Sequence, residues 1–147
     1  MTIAIDFDGT IVEHRYPEIG EEKPFATDTL KMLIKDRHKL ILWTVREGHL
    51  LDEAIEWCRQ RGVEFYAVNH DYPEEKKENN QHYSRKLNSI DVWIDDRNIG
   101  GLPDWGTIYR MITHHKTWND IIEEEVAHSS FDHSAESNSK KKPWWKF

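Results

Sequence analysis

Short apolar runs alternate along the chain with longer stretches in which apolar and polar residues are mixed. The first run, TIAID at 2–6, is rich in β-branched residues and is typical of a buried parallel strand. Comparable runs predict strands at 39–45, 64–69 and 90–95, and the run at 106–112 is a candidate fifth strand. All of them are far shorter than the ~20 apolar residues that a membrane-spanning helix needs.

The stretches between these runs carry helix signals. Apolar residues recur at helical spacing through 25–34 and again through 47–61, where Gly62 offers a natural end. The segment 13–24 contains prolines and a glycine and is predicted to be a loop, and an acidic helix is predicted at 117–127. Strand and helix therefore alternate, which predicts an α/β fold, namely a three-layer Rossmann-like parallel sheet with helices on both faces.

The composition narrows the classes of protein that the chain can belong to. Its 147 residues suffice for a hydrophobic core, and a net charge of −7 argues against a protein that coats nucleic acid. Cys58 is the single cysteine, so the chain has no internal disulfide and suits a reducing compartment. The N-terminus shows no signal-peptide pattern. We therefore expect a cytoplasmic protein with no membrane partner.

Residues suited to metal and phosphate chemistry follow the predicted strands. They are Asp6 and Asp8 after the first strand, Thr44 and Arg46 after the second, Asp95 and Asp96 after the fourth, and Lys86 just ahead of the fourth. In parallel sheets of this kind the ligand site lies outside the carboxyl ends of the strands. We therefore expect these side chains to converge on one rim.

A divalent cation would explain why so many carboxylates gather there. Neighbouring carboxylates repel one another, and Mg²⁺ takes oxygen ligands while it keeps several waters, so it needs only a few of them. Histidine and cysteine are missing from the cluster, which argues against zinc. Thr44 and Lys86 suit an anion, and a metal, a lysine and a hydroxyl together are typical of phosphoryl transfer. Taken singly, each feature also has a structural explanation, such as turn chemistry for DFDGT; the ordered combination favours a site.

Four motifs in this order resemble those of the haloacid dehalogenase superfamily, whose members are mostly phosphatases. DFDGT resembles its first motif, LILWT the second, Lys86 the third and VWIDD the fourth. The resemblance covers roughly residues 1–112. It implies the fold predicted above and a phosphatase rather than a dehalogenase, because a dehalogenase usually lacks the aspartate found here as Asp8.

The resemblance also implies a role for each matched acid. Asp6 would be the nucleophile that forms an aspartyl-phosphate, and Asp8 would be the general acid and base. Mg²⁺ would be bound by Asp6, by Asp96 and by the backbone carbonyl of Asp8. Asp95 would act through a bound water, or would contact the direct ligands without binding the metal itself.

Phosphate binding is implied for Thr44 and Lys86. Arg46, two places after Thr44, is a further candidate, since a guanidinium can grip a phosphate with two donors. The alternative that Arg46 pairs with Glu47 or another acid stays open. Further candidates for substrate contact lie near the rim, at His14, Arg15, Tyr16, His70 and Asp71.

The superfamily usually selects substrates with a separate cap domain, and no room for one is apparent here. The segment 12–39 accommodates a loop and one helix, and 69–86 is too short for a cap. We therefore expect a minimal member without a cap. Its open site would suit large substrates or a roof supplied by a second subunit, so a homo-oligomer is left open.

The C-terminal segment differs in composition from the rest. We expect a catalytic core at 1–127, a polar linker at 128–139 and a basic, aromatic tail, KKKPWWKF, up to 147. Docking of the tail on this protein or on a second copy is favoured over nucleic-acid binding, although charge and stacking permit the latter.

The sequence thus favours a Mg²⁺-dependent phosphohydrolase that acts on an organic phosphate monoester through an aspartyl-phosphate. Three alternatives remain: a phosphatase for nucleotide or nucleic-acid ends, a phosphotransferase, and a phosphate-binding or scaffold protein without turnover. The intact set of Asp6, Asp8, Thr44, Lys86 and Asp96 argues against the last.

Overall fold

Within the described residues, four short parallel strands form one sheet. The computed structural model describes residues 1–73 and 87–139, with 132–139 described as helix backbone alone. The strands are β1 (Thr2–Ile5), β2 (Lys39–Leu42), β3 (Ala67–Val68) and β4 (Val92–Ile94), and they lie in the order β3-β2-β1-β4. Each neighbouring pair is parallel. The predicted α/β class with a parallel sheet is therefore confirmed, and the arrangement is consistent with a Rossmann-like fold.

β1 lies inside the sheet, between β2 and β4. Its residues Ile3, Ala4 and Ile5 are at most 1% exposed, which explains the continuous apolar run in the sequence. The backbone N–H of Asp6 donates to the carbonyl of Ile94 at 3.0 Å, so the pairing of β1 with β4 extends one residue past the strand. Asp6 is consequently held at the carboxyl end of a strand whose last three residues are buried.

Two helices alternate with these strands as predicted, and two more follow β4. The helices are α1 (Ala26–Lys35), α2 (Gly48–Gln60), α3 (Trp105–His114) and α4 (Trp118–Ser139). α1 buries Leu30 and Leu33 on one face, and α2 buries Ala54 and Cys58, four residues apart. Gly62 adopts a left-handed conformation with φ 83° and ends α2, as predicted.

The candidate fifth strand at 106–112 is helical instead and belongs to α3. Its β-branched residues suggested a strand, but its buried positions Ile108 and Ile112 are four residues apart, which is the spacing of a helix face. The strand prediction is therefore wrong, because residue type outweighed spacing in a short run.

α4 begins close to the predicted position but continues well beyond residue 127. Thr117 and Asp120 cap its start reciprocally, since the Thr117 N–H donates to the Asp120 carboxylate at 2.6 Å and the Asp120 N–H to the Thr117 hydroxyl at 3.3 Å. The predicted linker at 128–139 forms the second half of this helix. Ser129 and Ser130 donate their hydroxyls to carbonyls one turn earlier, which removes their competition with the helix backbone.

The chain divides into two compact units, Met1–Gly106 and Thr107–Phe147. The boundary between core and linker expected at residue 127 stays a prediction. The predicted tail at 140–147 lies outside the described residues. None of the helices in the described part of the chain is long and apolar enough to cross a bilayer.

Candidate active site

A tight turn follows β1 and carries the DFDGT residues. The carbonyl of Phe7 accepts hydrogen bonds from the N–H groups of Thr10, Ile11 and Val12 at 2.9–3.3 Å. Gly9 adopts φ +87°, and a Cβ added there would lie 2.3 Å from a carboxylate oxygen of Asp96. A glycine is therefore required at this position for two reasons, its backbone conformation and the close approach of Asp96.

Thr10 is fully buried and joins the turn to the end of β4. Its hydroxyl donates to Asp6 Oδ2 at 3.0 Å and accepts the N–H of Asp96 at 3.0 Å. The indole Nε1–H of Trp105 donates to the Thr10 carbonyl at 3.1 Å. Thr10 thus braces the turn against β4. Trp105 carried no signal in the sequence, because it lies far along the chain from the motif.

Asp6, Asp95 and Asp96 form one cluster of carboxylates. Each contributes an oxygen that lies within 4.8 Å of the oxygens of the other two, and each side chain is half-buried. Burial, followed by the charge of Asp95, raises the pKa of Asp6 to about 7, although the hydrogen bond from Thr10 acts in the opposite direction. The cluster could therefore hold a metal ion, because a cation would offset both the burial of these carboxylates and the repulsion between them. The oxygen of Asp95 lies within the same 4.8 Å of the others as those of Asp6 and Asp96. The resemblance instead implied that Asp95 acts through a water or without binding the metal directly.

Asp8 lies in the same turn and forms a buried ion pair with Arg46. Arg46 Nε donates to Asp8 Oδ2 at 2.8 Å, and Nη2 donates to Oδ1 at 2.7 Å. The same guanidinium donates to the carbonyls of Pro17 and Glu18 at 3.0 and 2.9 Å. The phosphate-binding role predicted for Arg46 does not fit this geometry, because Arg46 is 0% exposed and each of its three nitrogens already donates to the protein. The alternative, a pair with an acid, is observed, and the acid is Asp8 rather than Glu47.

Thr44 follows β2 and is 2% exposed. Its N–H donates to Asn69 Oδ1 at 2.9 Å, and its hydroxyl oxygen accepts the N–H of Arg46 at 3.2 Å. Asn69 adopts a left-handed φ of 56° at the end of β3, which brings its amide across to β2. Thr44 is therefore fixed at the strand end where the sequence places it. Lys86, the other predicted phosphate ligand, lies outside the described residues.

A cleft of about 210 Å³ opens over this rim. It is lined by Asp6, Asp8, His14, Tyr16, Trp43, Thr44, Val45, Asp95 and Arg97. The structure thus brings together six residues that the sequence singled out, including two from the loop at 13–24. Trp43 was missed, because a tryptophan in an apolar run indicates a core position. Asp71 is not among the lining residues, and its carboxylate accepts the N–H groups of Asn88 and Ser89 instead.

Comparison with models of known protein families gives no match, and comparison with curated proteins gives none either. Among solved structures, the protein is similar to one described as a conserved protein coded by a locus of Bacteroides thetaiotaomicron. The sequences are 68% identical, the TM-score is 0.73, and the match covers 82% of this chain and 96% of the other. At this identity and coverage, the chain belongs to the same family as that conserved Bacteroides protein.

Proposed function

We propose that the protein is a Mg²⁺-dependent phosphohydrolase of the haloacid dehalogenase type, which cleaves an organic phosphate monoester through an aspartyl-phosphate on Asp6. The observation that carries the proposal is the cluster of Asp6, Asp95 and Asp96 at the carboxyl end of the sheet. Asp8 lines the same cleft as Asp6 and Asp95. The arrangement supplies a carboxylate nucleophile, oxygen ligands for a hard cation and a second carboxyl group for proton transfer.

Mg²⁺ is the cation that we assign to this donor set, because its donors are carboxylate oxygens and Mg²⁺ needs only a few of them from the protein. Asp6, Asp95 and Asp96 would hold it. When bound, it supplies positive charge that offsets the carboxylates and the phosphoryl oxygens. The raised pKa of Asp6, about 7, supports this assignment, because nearby positive charge favours the ionised form that a nucleophile needs.

The reaction has two steps, and its protons balance. In the first step, a carboxylate oxygen of Asp6 attacks phosphorus, the bond from phosphorus to the ester oxygen breaks, and Asp8 gives a proton to the leaving oxygen. In the second step, water attacks phosphorus and gives a proton to Asp8. The bond between Asp6 and phosphorus then breaks, which releases inorganic phosphate and restores the Asp6 carboxylate.

Thr44 would bind a phosphoryl oxygen during both steps. Its hydroxyl oxygen accepts a bond from the backbone of Arg46, and a hydroxyl that accepts through its oxygen keeps its proton to donate. Lys86 would add a positive charge, as the resemblance implies.

A phosphatase for nucleotides or nucleic-acid ends is the second candidate. Tyr16 and Trp43 line the cleft beside Asp6, and aromatic rings offer faces on which bases stack. The segment 12–39 holds only a loop and α1, which supports an open site without a cap on this side. Such a site admits larger substrates, or a second subunit that completes it.

The cytoplasm is the location that goes with this function. Cys58 is buried and unpaired with any other cysteine, as suits a reducing compartment. Free phosphate esters and Mg²⁺ are both present there, so no membrane partner is needed.

A panel of phosphate esters tests the proposal. Wild type, Asp6→Asn and Asp52→Asn are assayed for phosphate release with Mg²⁺ and with a chelator. We expect wild type and Asp52→Asn to hydrolyse at least one ester only when Mg²⁺ is present, and Asp6→Asn to lose at least about 1,000-fold in kcat, because covalent catalysis needs the carboxylate. Asp52 is exposed on α2 and is the matched control.

Three results would contradict the proposal. Activity that survives Asp6→Asn undiminished excludes the aspartyl-phosphate. Tight Mg²⁺-dependent binding of one ester without hydrolysis of any favours the phosphate-binding scaffold instead, and transfer of phosphate to a sugar in preference to water favours the phosphotransferase.

A further inference from the structure

Arg46 is a charged side chain buried completely inside the protein, next to the candidate site. Its side chain is 0% exposed and that of Asp8 is 7% exposed. Burying an ion pair carries a desolvation penalty that the attraction within the pair only partly offsets, and a well-packed apolar pair is often at least as stable. The stability of the fold therefore does not by itself explain why an arginine occupies this position.

The geometry of Arg46 fixes two things at once. Two of its nitrogens grip the two oxygens of Asp8, which sets both the position and the plane of that carboxylate. The remaining donors hold the carbonyls of Pro17 and Glu18, in the loop whose residues His14 and Tyr16 line the cleft.

Aromatic rings hold the guanidinium itself in place. The ring centroid of Phe7 lies 5.2 Å from Arg46 Cζ, and that of Tyr16 lies 5.3 Å away. Phe7 is buried in the DFDGT turn, and Tyr16 lies in the loop. Arg46 is therefore the link between the turn that carries Asp6 and Asp8 and the loop that forms one wall of the cleft.

We propose that Arg46 is a positioning residue that holds the Asp8 carboxyl group in the orientation needed at the leaving oxygen and fastens the loop at 16–18 to the same group. The inference rests on the proposed function, because it concerns the proton that Asp8 gives to the ester oxygen. A carboxyl group offers about four lone-pair sites, and Arg46 uses two of them. When Asp8 is protonated, one of the other sites carries the proton, which can face the leaving oxygen while Arg46 still donates to the first two.

A lysine cannot replace this function. Its ammonium group is a single point of charge, whereas four bonds from three nitrogens in one plane are needed here. Arg46→Lys therefore retains the charge and loses the orientation. Arg61 offers a matched control, because its guanidinium lies 3.6 Å from the ring centroid of Trp57 and donates to that residue's carbonyl, away from the cleft.

The test compares esters whose leaving groups differ in their need for a proton. Wild type, Arg46→Lys, Arg46→Gln and Arg61→Lys are assayed with an alkyl phosphate, which needs a proton on the leaving oxygen, and with a dinitrophenyl phosphate, which does not. We expect Arg46→Lys to lose roughly 100-fold in kcat/KM on the alkyl ester and less than about 5-fold on the dinitrophenyl ester, because kcat/KM reports the first step alone and general acid catalysis is of that order. Arg61→Lys should match wild type on both esters.

Several outcomes would overturn the inference. Equal losses of kcat/KM on both esters would show that Arg46 does not act through the proton that Asp8 gives to the leaving oxygen. An unchanged ratio of the two rates in Arg46→Lys would show the same. Arg46→Gln serves if Arg46→Lys does not fold, and failure of both variants to fold would make Arg46 a structural residue only.

The inference can be separated from the proposed function. If wild type cleaves neither ester, the phosphohydrolase proposal fails, and positioning is judged by the crystal structure of Arg46→Lys alone. Positioning then requires that the Asp8 carboxylate and the carbonyls of Pro17 and Glu18 leave the places they occupy in wild type. A variant in which all three stay in place would contradict it.

Discussion

At the scale of single residues, Asp6 and Asp8 are two carboxylates in one turn with different surroundings. Asp6 is half-buried among other acids, and its pKa is raised to about 7, first by burial and then by Asp95. Asp8 is gripped by Arg46 at 2.7 and 2.8 Å. The sequence predicted that the two residues share a site, but it could not show which acid Arg46 pairs with, because that partner lies 38 residues away along the chain.

The raised pKa of Asp6 makes the stability of the metal-free protein depend on pH. The group titrates near 7 when folded and near 3.8 when unfolded, so folding is favoured most below 3.8 and this contribution is lost as the pH rises through about 7. We expect Asp6→Asn to be more stable than wild type at pH 8 in a chelator, by about 2 kcal/mol once solvent screening at this half-buried site is allowed for. The gain should vanish near pH 4.

Thermal unfolding of both proteins across this pH range measures the effect. Adding Mg²⁺ at pH 8 should raise the Tm of wild type and leave that of Asp6→Asn nearly unchanged, since binding to the folded state alone stabilises it. A Tm difference that stays constant with pH, or an equal response of the two proteins to Mg²⁺, would refute this account of Asp6.

At the scale of elements, the turn after β1 determines the geometry of the site. The buried strand β1 and the turn at the glycine of DFDGT could be predicted from the sequence, because burial and a left-handed backbone each favour particular residues locally. The close approach of Asp96 to Gly9 could not be predicted from the sequence, because it depends on how β4 pairs with β1. At 106–112, the β-branched residues suggested a strand, whereas the spacing of the buried positions is that of a helix, and the helix α3 forms there.

Gly9→Ala tests the turn. The left-handed backbone should destabilise the variant by about 1–2 kcal/mol, and the new Cβ should displace Asp96, whose carboxylate would lie 2.3 Å away. We expect the stabilisation by Mg²⁺ to be lost as well. Gly101→Ala is the matched control, because Gly101 has φ +78° with nothing within 4 Å of the added Cβ.

Denaturant unfolding of the two variants with and without Mg²⁺ separates the two effects. Gly101→Ala should show the backbone penalty and keep the Mg²⁺ response of wild type. If Gly9→Ala also kept that response, the packing of Gly9 against Asp96 would not matter for the site.

At the scale of the whole molecule, the described side chains that line the cleft all belong to the unit Met1–Gly106. The parallel sheet with order β3-β2-β1-β4 gathers strand ends that are distant in sequence, and the alternation of runs and helices was enough to predict this convergence. The second unit was predicted less well. Residues 128–139 lack an apolar face, so they resembled a linker, yet capping by Thr117 and Asp120 starts a helix that continues through them.

The most direct test of the central claim is whether phosphate becomes attached to Asp6. Wild type, Asp6→Asn and Asp8→Asn are mixed with Mg²⁺ and a dinitrophenyl phosphate, quenched in acid, digested and analysed by mass spectrometry. We expect a phosphate adduct on the peptide that contains Asp6. It should accumulate most in Asp8→Asn, where activation of water is slowed, and be missing in Asp6→Asn. Release of inorganic phosphate by wild type and Asp8→Asn with no adduct on that peptide would contradict the account.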